Sequence, residues 1–98
     1  MKLRILESAK EDLVNGYYFY EGMSPGVGTY FLDTLFSDID SLALYAGIHR
    51  KVFGWYRALS KRFPVAIYYQ VASDEVQVFA VLDCRRRPSW IRRRLGGS

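Results

Sequence analysis

The feature that most constrains this chain is a change of hydrophobic period near residue 53. Upstream, apolar residues recur every three or four positions; downstream, they recur every two. Residues 55–59 form one extended run, and Ser60-Lys61-Arg62-Phe63 interrupts it. Val65, Ile67, Tyr69 and Val71 then alternate with Ala66, Tyr68 and Gln70. After the polar turn Ala72-Ser73-Asp74-Glu75, Val76, Val78, Ala80 and Leu82 alternate with Gln77, Phe79, Val81 and Asp83. Strands joined by turns this short pair antiparallel, so the stretch reads as a three-stranded meander. Pro64 belongs at a strand start or an edge, because it has no N–H to give to a ladder.

The first half reads as a strand followed by a helical hairpin. Lys2-Leu3-Arg4-Ile5-Leu6 is a short strand, and Ser8-Ala9-Lys10-Glu11 has the form of a capping box that opens a helix over 8–22. In that helix Ala9, Leu13, Gly16/Tyr17 and Tyr20 share a face, and residues 17–20 are aromatic throughout. Ser24 as N-cap and Pro25 at the first helical position predict a second helix. Val27, Phe31, Leu35, Ile39 and Leu42 form its buried stripe, Asp33, Asp38 and Asp40 lie off that stripe, and Gly47 is a plausible stop. A last short helix over 87–96 has Pro88 in its first turn and Ile91 and Leu95 on one face. The expected class is therefore α+β in the order β-α-α-β-β-β-α: one domain over 1–98, an antiparallel sheet with a helical hairpin packed on one face.

Composition narrows the function. Half of the 98 residues are hydrophobic, enough for one small core and no second lobe. No run approaches the roughly 20 apolar residues of a membrane span, and the first residues are too short for a signal peptide. Cys84 is the single cysteine, which gives no sign of an oxidising compartment, so the cytoplasm is expected. One histidine (His49, read as a loop residue) and one cysteine do not make a metal set. Gly22, Gly26 and Gly28 follow no strand, so they are not a phosphate-cradling loop. Neither a metal nor a cofactor is expected.

The charge is divided unevenly. Residues 1–47 carry three Lys/Arg against seven Asp/Glu, whereas residues 48–98 carry eleven against three. A basic half of this kind suits a polyanion, either nucleic acid or an acidic peptide.

Local sequence carries a resemblance over nearly the whole chain. Lys61-Arg62-Phe63-Pro64 leads into Ala66-Ile67-Tyr68-Tyr69-Gln70-Val71, and Val78-Phe79-Ala80-Val81-Leu82 runs into Arg85-Arg86-Arg87-Pro88-Ser89-Trp90. These segments, with Ala9-Lys10-Glu11-Asp12-Leu13 in the first helix, resemble the RelE/ParE superfamily, the toxins of bacterial type II toxin–antitoxin systems. The resemblance implies a growth-inhibiting toxin neutralised by a cognate antitoxin, whose disordered C-terminal segment wraps it as a helix in a groove and a strand on the sheet. Tyr17, Tyr20, Tyr68 and Phe79 are the expected antitoxin contacts.

Two targets stay open. In the RelE branch the ribosome-dependent enzyme cuts mRNA, which requires a base, a cationic clamp and a proton donor brought together. Arg57, Lys61, Arg62 and Arg86 are the candidates for that chemistry, but Ala66 stands where the pattern has an arginine, and Arg92 falls near its tyrosine. The ParE branch poisons DNA gyrase and needs only a complementary surface, for which Arg85, Arg86, Arg87, Trp90, Arg92 and Arg93 are the candidates. The second branch is favoured. A plain nucleic-acid-binding module without toxicity is the remaining reading. Trp55 and Tyr56 are expected to be sheet-packing aromatics, and Cys84 a small packing residue.

Overall fold

A computed structural model describes residues 1–96. Its elements are β1 (Lys2–Ile5), α1 (Glu7–Glu21), α2 (Val27–Tyr45), β2 (Lys51–Val52), β3 (Trp55–Leu59), β4 (Val65–Ala72), β5 (Glu75–Asp83) and α3 (Pro88–Arg94). The expected order is present, with one addition. The two-residue β2 folds back on β3 through Phe53 and Gly54, both at positive φ (53° and 84°). That is the backbone a two-residue hairpin loop with the sheet's own twist requires.

The sheet order is β1-β5-β4-β3-β2. The β5–β4 and β4–β3 ladders are antiparallel as expected and the added β2 pairs antiparallel with β3, but β1 runs parallel to β5, with Lys2 opposite Glu75 and Ile5 opposite Val78. The helical hairpin follows β1 and crosses the sheet before the meander begins, and such a crossover permits a parallel neighbour.

β4 lies at the centre and is covered on both faces. Val65, Ile67 and Tyr69 meet Leu13, Phe31, Leu35, Ile39 and Leu42 of the hairpin. Ala66 and Tyr68, with Ala80 and Leu82 of β5, meet Ile91 of α3 and Leu95 just past it. Tyr68, expected among the antitoxin contacts, lies under this second layer: it and Tyr69 are both buried, at 1% and 0% exposure. Trp55 stacks on Phe79 with ring centroids 4.5 Å apart and donates its indole N–H to Leu95 O, so β3 helps to hold α3. Tyr56 stacks on Tyr69 at 5.1 Å.

Several local expectations are corrected by longer-range bonds. Ser8 makes no capping box; its hydroxyl donates to Phe79 O at 2.6 Å, and α1 has no side-chain cap at Leu6. α2 starts at Val27, and its N-terminal amides are met by Glu21 rather than Ser24. The Gly26 and Gly28 amides donate to that carboxylate at 3.0 and 2.9 Å, where a negative charge also suits the helix dipole. Asp38 is buried, and it accepts from the Ser60 hydroxyl (2.7 Å) and the Lys61 amide (3.3 Å), fixing the β3–β4 turn. His49 is structural: its Nδ1 lies against the Tyr69 hydroxyl, which also accepts from the Gly47 amide. No helix of the described residues is long and apolar enough to cross a membrane.

Candidate partner-binding groove

β1 ends opposite Val78, and past that point no strand among the described residues pairs with the outer side of β5. A buried strand edge needs hydrogen-bond partners. α1 supplies them from its side: Ser8 reaches Phe79 O, and one turn later the Asp12 carboxylate accepts from the Val81 amide at 3.0 Å. The same carboxylate binds Arg94 of α3 at 2.8 Å, so one acid ties together α1, β5 and α3. Burial raises the Asp12 pKa above the ordinary aspartate value, against the opposing pull of the Val81 amide and Arg94.

Beyond this tie the elements diverge and leave a groove of about 730 Å³. Its floor is apolar, from Phe31, Val65 and Val81. Glu11, Asn15 and Phe19 of α1 form one wall; Arg85, Arg86 and Trp90 form the other. Asp83 takes a two-pronged contact from Arg85 (2.9 and 2.6 Å), which lowers its pKa below the usual carboxylate range. Arg86 lies over the Trp90 ring, 4.4 Å from its centroid. Tyr20 also lines the groove, and its buried hydroxyl has no hydrogen-bond partner. Desolvation, helped by the Asp83 charge, raises the pKa of that hydroxyl and keeps it protonated. The floor therefore holds an unused O–H donor.

The candidates divide among three places. Arg85, Arg86, Trp90 and Tyr20 converge on the groove. Arg57 lies on the α3 side of the sheet, bonded to the Tyr68 hydroxyl at 3.3 Å and set against Cys84 Sγ at 3.5 Å. Burial works against its charge, but the Tyr68 bond and Cys84 leave its pKa above the ordinary guanidinium value. Arg62 points to the hairpin instead, donating to the Tyr30 hydroxyl at 3.2 Å, and Lys61 is exposed at the same turn. Arg57, Lys61, Arg62 and Arg86 thus do not surround one point. Tyr68 offers no surface while α3 covers it, and Phe79 is held between Trp55 and Arg94. Tyr17 is half-buried against α2, where Gly28 passes it. Arg87, Arg92 and Arg93 are exposed around α3.

Sequence reasoning missed Asp12, Asn15, Phe19 and Arg94. A signal was present: Ser8, Asp12, Asn15 and Phe19 fall at i, i+4, i+7 and i+11, one stripe beside the apolar face of α1. Among the described residues no group of three or more His, Cys, Asp or Glu side chains is placed to hold a metal.

No protein-family model and no curated protein matches the chain. Among solved structures it is similar to a chain described as "Chromosomal ParDE TA system from P. aeruginosa". The two are 22% identical with a TM-score of 0.76, and the match covers 83% of this chain and 92% of that one. The chain accordingly shares the fold of this ParDE-system chain.

Proposed function

We propose that this RelE/ParE-like chain is the toxin of a type II toxin–antitoxin module, acting in the cytoplasm on DNA gyrase and neutralised by a cognate antitoxin. The observation that carries the reading is the fold shared with a ParDE chain over most of both lengths. The groove supports the antitoxin part. It joins an apolar floor, a charged rim and a strand edge, the features by which a disordered segment is held as it folds on its partner.

The placement of the cations favours gyrase over mRNA cleavage. General acid–base chemistry needs its groups within hydrogen-bond reach of one substrate. Here Arg57 and Arg62 serve opposite sides of the sheet, and Tyr68 and Cys84 already occupy the Arg57 guanidinium. A surface that only binds has no such requirement, and Arg85, Arg86 and Trp90 present one at the groove rim.

The test is induction of the chain from a tightly repressed promoter, with pulse-labelling of DNA and protein synthesis over the first minutes and a supercoiling assay on purified gyrase. The expected result is an early fall in DNA synthesis, a DNA-damage response and inhibited supercoiling, all reversed by co-expressed antitoxin. An early fall in protein synthesis with cleaved mRNA would replace gyrase with the ribosome as the target. Unimpaired growth would refute the toxin reading itself.

A further inference from the structure

Six arginines lie between Arg85 and Leu95. Two are neutralised within the fold, Arg85 by Asp83 and Arg94 by Asp12. The other four, Arg86, Arg87, Arg92 and Arg93, are exposed and have no acidic partner within 4 Å among the described residues. The sequence contains no Asp or Glu after Asp83. Arg92 and Arg93 sit on a firmly held element and Arg86 and Arg87 lead into it: Ile91 of α3 and Leu95 just past it are buried, and Trp55 donates to Leu95 O. With that face inward, helical spacing turns Ser89, Arg92 and Arg93 outward. Arg86, fixed over Trp90, and Arg87 stand at the start of the helix. Four uncompensated cations on one short segment repel one another, and a fold tolerates this most readily where a polyanion meets them.

We infer that the outer face of α3, with Arg86, Arg87, Arg92 and Arg93, is a binding site for the phosphate backbone of duplex DNA. The chemistry of the face selects that ligand. A docked peptide needs an apolar anchor or a strand edge, and this face offers only Pro88, Ser89 and arginines. Single-stranded RNA is gripped by stacking its bases on free aromatic rings. The aromatic ring nearest these arginines, Trp90, is half-buried and covered by Arg86. What remains is a cluster of exposed cations on and beside a held helix, which suits the polymer with the densest regular line of phosphates. The contact is independent of base sequence, since no side chain here is placed to read a base edge. The inference does not depend on gyrase being the target, although a gyrase poison that also held the DNA would grip both parts of the enzyme–DNA complex.

The experiment measures binding of the full chain, made by cell-free translation, to a fluorescent random-sequence 30-base-pair duplex between about 50 and 300 mM salt. Four phosphate contacts give a slope of log affinity against log salt near −3.6, roughly a hundredfold loss between 50 and 200 mM. The double change Arg92→Gln/Arg93→Gln should flatten the slope by about two units. Changing all four arginines to Gln should abolish binding while circular dichroism and melting show the fold retained. A slope shallower than about −1 overturns the site, as does a folded quadruple variant that binds like the parent. Tighter binding to single-stranded RNA of equal length, or equal competition by a poly-glutamate peptide, also overturns it. Gyrase inhibition without this salt-dependent binding would remove the site and leave the gyrase reading intact, whereas binding without gyrase inhibition would keep the site and remove gyrase as the target.

Discussion

Replacing Asp12 tests how the last strand is secured. Its carboxylate accepts from the Val81 amide and from Arg94, and the two side chains of that ion pair are only 12% and 26% exposed. Asp12→Ala strands both donors. A hydrogen bond to a charged group contributes about 1.5–3 kcal/mol, and water entering the groove can re-solvate part of what is lost. We expect a loss of about 2 kcal/mol, which for a domain of this size lowers Tm by about 8–16 °C. Asp12→Asn should behave differently. Its carboxamide oxygen still accepts from Val81, and the charge it removes was disfavoured by burial, so the expected loss is only about 0–1 kcal/mol.

The pH dependence of the same pair checks the reasoning a second way. Burial raises the Asp12 pKa above 3.8, so the folded chain holds this proton more tightly than the unfolded chain does. The associated stability is fully present below 3.8 and is lost as pH rises through the raised folded value. Urea titrations at successive pH values should therefore show the parent losing stability relative to Asp12→Asn across that window, with a flat difference at neutral pH. Equal damage from Asp12→Asn and Asp12→Ala at neutral pH would refute the account, since the ion pair with Arg94 would then outweigh the amide that needs an acceptor.

Two further substitutions address the hairpin and the groove floor. Tyr20→Phe deletes a buried hydroxyl that has no partner, so the free chain should be unchanged or more stable by up to about 1 kcal/mol in urea denaturation. The same change should weaken antitoxin binding if the bound segment accepts from that hydroxyl, which titration calorimetry of the two variants would read. Gly28→Ala would place a Cβ 2.7 Å from Tyr17 O and 2.9 Å from Glu21 Cβ, forcing α1 and α2 apart. We expect it to cost about 1–3 kcal/mol despite the better helix propensity of alanine. An unchanged denaturation midpoint would mean that the hairpin is not closed as tightly as the geometry shows.

The parts of the fold legible in the sequence are those decided by neighbours along the chain. The alternation over residues 65–83 specified two paired strands, and the Phe31, Leu35, Ile39, Leu42 spacing specified the buried face of α2. Burial of both Tyr68 and Tyr69 was also written there. Val65 to Tyr69 contains no polar break, the mark of a strand covered on both sides. What could not be read were bonds that span the chain. Ser8 meets Phe79, Asp12 meets Val81 and Arg94, and Asp38 meets Ser60, so each polar residue serves a backbone or a charge many residues away. Local rules assign such residues to caps and solvated faces, and the competing long-range bond wins because it satisfies a group the fold would otherwise bury unpaired.

The same logic explains why the groove and the basic face are separate surfaces, although one seven-residue helix borders both. α3 turns Trp90 and Arg94 toward α1 and turns Arg92 and Arg93 away from it. Arg94 is neutralised because it must pack beside Asp12, whereas Arg92 and Arg93 face water and can stay unpaired. Arg86 alone belongs to both surfaces: it lines the groove through its stack on Trp90 and stands beside Arg87 at the start of the helix. A partner filling the groove would therefore engage Arg86 and leave Arg92 and Arg93 free. If the proposed antitoxin fills the groove, it would neutralise by blocking the approach of the target or by holding α3 in place. It does not require the positive charge of the helix to be cancelled.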